Sequence, residues 1–201
     1  MSSIIIATAN PGKFREIQED LSGIFDVFYS LDDLEYTVEV EEDRGSYAEN
    51  AWKKARKIGD RFGISTLADD SGLEVEALGG RPGLYSARYG KNDTERIDRL
   101  LTELEGVPMD KRKAMFRAYL SFYTPLDEKT YFFYGCLKGF IDVKRRGSGG
   151  FGFDPVFSLP ERGRSLAEIP LAEKNRISHR GKALASFRRF MTIGQIPRLL
   201  P

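Results

Sequence analysis

Three features of this sequence predict a mixed α/β fold. A β-branched run, Ile4-Ile5-Ile6, leads into a helical spacing of Phe14, Ile17 and Leu21. Downstream, Ala114–Phe122 alternates strictly and Thr130–Ile141 is rich in aromatics, as in two paired strands. The chain then closes on a helix carrying Ala183, Leu184, Phe187 and Phe190. A strand-helix unit, a hairpin and a terminal helix together imply a mixed sheet with flanking helices.

The elements follow in order. Ile4–Ile6 reads as a buried strand. Asn10-Pro11-Gly12 breaks it, and a helix runs from about Lys13, with Pro11 suited to the first turn because its missing N–H costs little there. Val38 and Val40 lie in an acidic, strand-like stretch that ends Glu41-Glu42-Asp43. A longer helix spans about Ser46 to Phe62, with Ala51, Ala55, Ile58 and Phe62 on one face and a capping box in Ser46 and Glu49. Ile64–Ala68 is a strand that Asp69-Asp70-Ser71-Gly72 interrupts, and Leu73, Val75 and Ala77 alternate after it. Ile97, Leu100, Leu101 and Leu104 mark a helix, and the loop near Pro125 and Asp127 joins the hairpin. Gly147–Gly152 is a glycine-rich loop. One domain of residues 1–201 with two lobes around a central cleft is the expected organisation, since no linker divides the chain.

Composition narrows the function. With 201 residues, 41% hydrophobic and 30% charged, the chain is long enough for a sizeable core and is neither disordered nor collagen-like. The 31 basic and 30 acidic residues nearly cancel, which argues against a broad nucleic-acid footprint. The single Cys136 cannot form an intrachain disulfide, and no apolar run approaches the ~18 residues of a membrane span. The opening MSSIIIATANPGK has no basic region and only a short apolar run, unlike a secretory signal. A cytoplasmic protein with no membrane partner is expected.

Four segments could carry chemistry. Thr8, Ala9, Asn10, Pro11, Gly12 and Lys13 stand at a strand-to-helix junction, where free backbone N–H groups and a lysine suit a phosphate; an ordinary turn with a solvated lysine would look the same. Glu41, Glu42, Asp69 and Asp70 could converge on one divalent cation, or the aspartates could be a capped turn. Like charges ~4 Å apart repel by roughly 4 kcal/mol at a surface-like dielectric, so such a cluster needs a cation or raised pKa values. Mg²⁺ fits its oxygen ligands, whereas one histidine and one cysteine cannot build a zinc site. In Gly147–Pro155, Phe151 and Phe153 offer faces for stacking on a base and Asp154 an acceptor, unless the rings are core. Lys174, His179 and Arg180 cluster near a helix start with Ser178 as its cap, or form a solvated basic helix end.

Taken together, TANPGK, EE followed by SYAENAWKKA, ADDSGLEVEALGGRPGLYSARY, GGFGFDPVF and EKNRISHRGKAL closely resemble the inosine/xanthosine triphosphate pyrophosphatases. The similarity runs from Ile4 to about Phe190. It implies an elongated mixed α/β unit, usually a homodimer, that cuts ITP, dITP or XTP between the α and β phosphates with Mg²⁺ present. By the same resemblance, Thr8 to Lys13 and Lys54 bind phosphates, Glu42 (or Glu41) and Asp70 hold the metal, and Asp70 is the presumed general base with Asp69 in support. Ser71 contacts substrate, and Phe151, Gly152, Phe153, Asp154, Lys174, His179 and Arg180 form the base pocket. Phe153 stands where relatives often carry Tyr or Trp. Lys174 and Arg180 are donors only, so they would pair with the O6 of hypoxanthine or xanthine and repel the adenine amine. Guanine also has O6, so its rejection must act on its 2-amino group. A Maf-like pyrophosphatase of other base specificity and a non-catalytic nucleotide binder are the rival readings.

Overall fold

A computed structural model describes residues 2–36 and 45–193. The expected strand around Val38 and Val40, and the acids Glu41 and Glu42, lie outside the described residues. Among the described residues seven strands form one mixed sheet, ordered β2-β1-β3-β4-β5-β6-β7. They are β1 (Ser3–Ala7), β2 (Val27–Tyr29), β3 (Thr66–Val75), β4 (Lys113–Thr124), β5 (Lys129–Ile141), β6 (Phe157–Leu159) and β7 (Arg164–Ser165). Among the described residues the α-helices are α1 (Pro11–Leu21), α2 (Tyr47–Phe62), α3 (Asp93–Glu103), α4 (Leu171–Ile177) and α5 (His179–Thr192). The neighbours of β1 are parallel to it, with Ile4 opposite Phe28 and Ile6 opposite Leu67. At the other end of the sheet, β5-β6 and β6-β7 are antiparallel.

The chain divides into two compact units. The first comprises Met1–Asp70, Ala118–Gly135 and Arg180–Pro201; the second comprises Ser71–Arg117 and Cys136–His179. In the first, β1 is buried on both faces, as an inner parallel strand must be. Ile4 and Ile6 pack with Ile17 and Leu21 of α1 and Leu184 and Phe187 of α5. Ile5 and Ala7 face the other way, toward Ala55 and Ile58 of α2. Helices therefore cover both sides of the sheet. Gly59 lets α2 press on β4: a Cβ there would stand 2.6 Å from Tyr123 Cδ1. In the second unit, Leu73, Ile97, Leu100, Phe116, Ile141, Phe153 and Phe157 build a separate core.

Local chemistry sets the helix starts. Asn10 Oδ1 accepts the N–H groups of Gly12 and Lys13, and Pro11 occupies the first turn. Ser46 Oγ accepts from Glu49 N at 3.2 Å and starts α2. Two expectations need correction. Asp69-Asp70-Ser71-Gly72 does not interrupt a strand; β3 runs unbroken through it. The two acids are tolerated because cations and an amide from neighbouring helices meet them, as described below. Ala77 lies in a short 3₁₀ turn, Glu76–Leu78, past the strand end.

Candidate active site

The continuity of β3 decides the geometry of the acidic pair. Successive side chains on a strand point to opposite faces. Leu67 faces α1 and α5 while Ala68 faces α2. Asp69 continues the first series and Asp70 the second. The side-chain oxygens of the two acids therefore accept hydrogen bonds from different donors.

Asp69 has no exposed side-chain surface. Its Oδ1 accepts from Lys13 Nζ at 2.5 Å, and its Oδ2 accepts from Arg180 Nε at 2.8 Å. Arg180 in turn donates to Glu16 Oε2 at 2.5 Å. Burial alone would raise the Asp69 pKa, but Arg180 and Lys13 hold it far below the usual carboxylate range. Burial lowers the Lys13 pKa against the pull of Asp69, and Arg180 and Lys54 push the same way. Glu16 was not foreseen from the sequence. It sits beside Ile17 on α1 and reads as a solvated position, yet it is 4% exposed because its counter-ion comes from α5.

Asp70 is held by one face of α2. Asn50 Nδ2 donates to its Oδ2 at 3.1 Å and Lys54 Nζ to its Oδ1 at 3.0 Å. Lys54 also donates to the main-chain carbonyl of Asp69 at 3.2 Å. Here burial wins: the Asp70 pKa is raised even with Lys54 beside it. A carboxyl with a raised pKa that keeps some exposure is suited to take a proton from water, unlike Asp69, whose oxygens both serve cations. The Asn50 carbonyl Oδ1 is buried with no hydrogen-bond partner among the described residues. An orphan of that kind costs ~1–3 kcal/mol.

The loop Thr8–Lys13 departs from its expected chemistry. The N–H groups of Gly12 and Lys13 are taken by Asn10, that of Phe14 goes to the Asn10 carbonyl at 3.0 Å, and Pro11 has none. The first turn thus presents no free donors. The helix dipole, the Thr8 hydroxyl and the Lys13 ammonium are what it offers an anion. Thr8 Oγ1 accepts from Asn10 N at 3.2 Å, which shapes the turn. Ser71 follows Asp70 on β3 and is half-buried.

A second polar cluster lies in the other unit. Asp154 Oδ2 accepts from Phe151 N at 3.0 Å and from Lys174 Nζ at 2.5 Å. Lys174 Nζ also stands 4.7 Å from the centre of the Phe151 ring. Gly152 N donates to Asp93 Oδ2 at 2.7 Å, which ties the loop to the start of α3. Gly150 and Gly152 both have positive φ, and a Cβ on Gly150 would run into Asp154 Oδ2. Phe153 is 4% exposed and packs edge-on against Tyr89, so this ring belongs to the core. Phe151, half-buried, is the ring with a face to offer. His179 is buried and stacks on Phe116, with ring centres 4.6 Å apart.

Lys174 and Arg180 lie on different helices. Ser178, in extended conformation, separates α4 from α5. Lys174 lies on α4 and pairs with Asp154, while Arg180 lies on α5 and pairs with Asp69 and Glu16. Arg180 is committed to two buried carboxylates, which short-range sequence spacing cannot reveal.

Among the described residues no group of three or more metal-ligating side chains gathers. The first cluster pairs three cations, Lys13, Lys54 and Arg180, with three anions, Glu16, Asp69 and Asp70. Such a balanced set does not by itself neutralise a polyphosphate. Asp70 is a hard oxygen donor, and Mg²⁺ characteristically takes one or two carboxylates and keeps its remaining places for water and phosphate. The residues present fit that ion.

The comparisons with known proteins point one way. The sequence pattern of the Ham1 family matches residues 4–190. A protein of Geobacter sulfurreducens named dITP/XTP pyrophosphatase is 47% identical over 188 residues, 92% of this chain and 94% of its own. One of the same name from Geobacillus kaustophilus is 46% identical, covering 92% of this chain and 91% of its own. Among solved structures, a HAM1 protein from Coxiella burnetii superposes with a TM-score of 0.84 at 36% identity, over 96% of this chain and 100% of that one. Among the described residues, no helix is long and apolar enough to cross a membrane.

Proposed function

This chain belongs to the Ham1 family, and on that premise we propose that it hydrolyses non-standard purine nucleoside triphosphates, ITP, dITP and XTP, to the monophosphate and pyrophosphate. The observation that carries the reading is the sorting of Asp69 and Asp70 to opposite faces of β3, which leaves one acid to order cations and the other to do chemistry. The names of the relatives favour this reading over a Maf-like specificity.

We assign phosphate handling to the first cluster. Asp70 orients a water and takes its proton as the water oxygen bonds to the α-phosphorus, and the bond from that phosphorus to the bridging oxygen breaks to release pyrophosphate. Lys13 and Lys54 turn toward the charge that grows on the phosphate oxygens. Asp70, with Glu42 and water, would hold a Mg²⁺ ion, which would supply charge neutralisation on the phosphates. Base recognition is assigned to the second cluster. Phe151 supplies a stacking face, and Lys174, oriented by Asp154, donates to O6. Arg180 is reassigned from the base to ordering Asp69. A homodimer and a cytoplasmic location belong to the same proposal.

The test is a panel of ITP, XTP, ATP, dUTP and dTTP, with and without Mg²⁺, and separate detection of pyrophosphate and orthophosphate. The kcat/KM for ITP should exceed that for ATP by at least about a hundredfold, since an amine facing a buried donor loses its hydrogen bond. Equal values for the two, or orthophosphate as the product, would refute the reading.

Gly150 offers a narrower check. An alanine there is strained by its left-handed backbone and collides with the carboxylate that holds Lys174. In Gly150→Ala, KM for ITP should rise about tenfold with kcat nearly unchanged, a loss of ~1.4 kcal/mol in ground-state binding. An unaltered KM would detach this loop from base binding.

A further inference from the structure

We infer that Asn50 is a positioning residue for Asp70, an inference that rests on Asp70 acting as the general base. Asn50 and Lys54 are four residues apart on α2 and so project from the same face. Each supplies one donor to one oxygen of the same carboxylate, at 3.1 and 3.0 Å. The terminal torsion of an aspartate is otherwise broad, and two donors on two oxygens fix it. The amide has one possible orientation here, because only its nitrogen can donate to a carboxylate.

The rest of the amide separates this role from packing. Asn50 is 2% exposed, and its Oδ1 is buried with no hydrogen-bond partner among the described residues. A side chain present only to fill interior space would be apolar, or would satisfy both of its ends. Asn50 satisfies only the end that meets Asp70. It spends its donor on the Asp70 carboxylate and leaves its carbonyl without a partner among the described residues.

Three variants of the full chain distinguish the roles: Asn50→Leu, Asn50→Asp and Asn50→Ser. Leucine keeps the bulk and removes the donor. Aspartate keeps the shape but, when ionised, only accepts. Serine loses bulk but retains a hydroxyl donor. Wild-type turnover of ITP to pyrophosphate is measured first; its absence would count against the proposed function rather than against Asn50. Given that turnover, kcat of Asn50→Leu should fall about 30-fold, with KM within about threefold of wild type. Asn50→Asp should fall at least as far, and Asn50→Ser should recover part of the rate. Binding of inosine monophosphate, followed by calorimetry, should be unchanged in all three, and the melting temperature of Asn50→Leu should not drop. A packing role predicts the reverse order, with the smaller serine worst and the melting temperature falling in step with kcat. That order, or a wild-type kcat in Asn50→Leu, would overturn the inference.

Discussion

Replacing Asp70 with asparagine should lower pyrophosphate release from ITP by about three to four orders of magnitude, while the melting temperature at neutral pH stays level or rises. On the proposed function, the first half follows from removing the proton acceptor and a metal ligand together. The second follows from the sign of the pKa shift. Burial raises the Asp70 pKa, against the pull of Lys54, so the folded protein binds that proton more tightly than the unfolded chain does. Stability from this group is fully present below the ordinary aspartate value, about 4, and is lost as pH rises through the raised folded value. At pH 7 the ionised carboxylate therefore costs stability, and a neutral isostere removes the cost. Asn50 can also turn its amide so that its carbonyl accepts from the new side chain. Paired rate and melting measurements at pH 7 check both halves. Near-normal turnover would remove Asp70 from the chemistry, and a fall of many degrees would make it a structural residue.

The sequence makes periodicity and local caps legible, because both are written in neighbouring residues. The run Ile4–Ile6 is buried on both faces as its composition implies. Ser46 and the alanine and isoleucine face of α2 lie where the spacing puts them. Asp69-Asp70-Ser71-Gly72 misleads because four polar or small residues have the propensities of a turn. They continue a strand because their partners are remote: Lys13 is 56 positions from Asp69, and Arg180 is 111. No local window contains that compensation. Asn50 and Glu16 are hidden for the same reason, as polar residues on amphipathic helices that turn inward toward charges on other elements. Lys174 and Arg180 show the converse. Six positions apart, they read as one cluster, yet the break at Ser178 sends each to a different carboxylate.

The other large effect is expected at Asp69, and it is on stability. Its carboxylate is the only anion bridging Lys13 and Arg180 among the described contacts, and all three groups are held within one buried network with Glu16. Asparagine at this position keeps the volume but removes the charge that both Lys13 and Arg180 meet. Breaking a buried pair from one side costs about 3–5 kcal/mol, because the stranded charge cannot return to water. At ~2–4 °C per kcal/mol for a chain of this size, Asp69→Asn should melt roughly 6–20 °C below wild type at pH 7. The pH dependence is distinctive. Arg180 and Lys13 depress the Asp69 pKa despite its burial, so the unfolded chain binds that proton more tightly than the folded protein. The stabilisation is therefore present above the unfolded value of about 4 and is lost as pH falls toward the depressed folded value. Other carboxylates titrate in both proteins and cancel in the difference. The gap in melting temperature between wild type and Asp69→Asn should be constant from pH 7 to about 5 and should shrink steadily below pH 4. A gap that stays constant down to pH 3 would mean that the cost comes from altered packing, and that the charge on Asp69 is not what holds Lys13 and Arg180 in place.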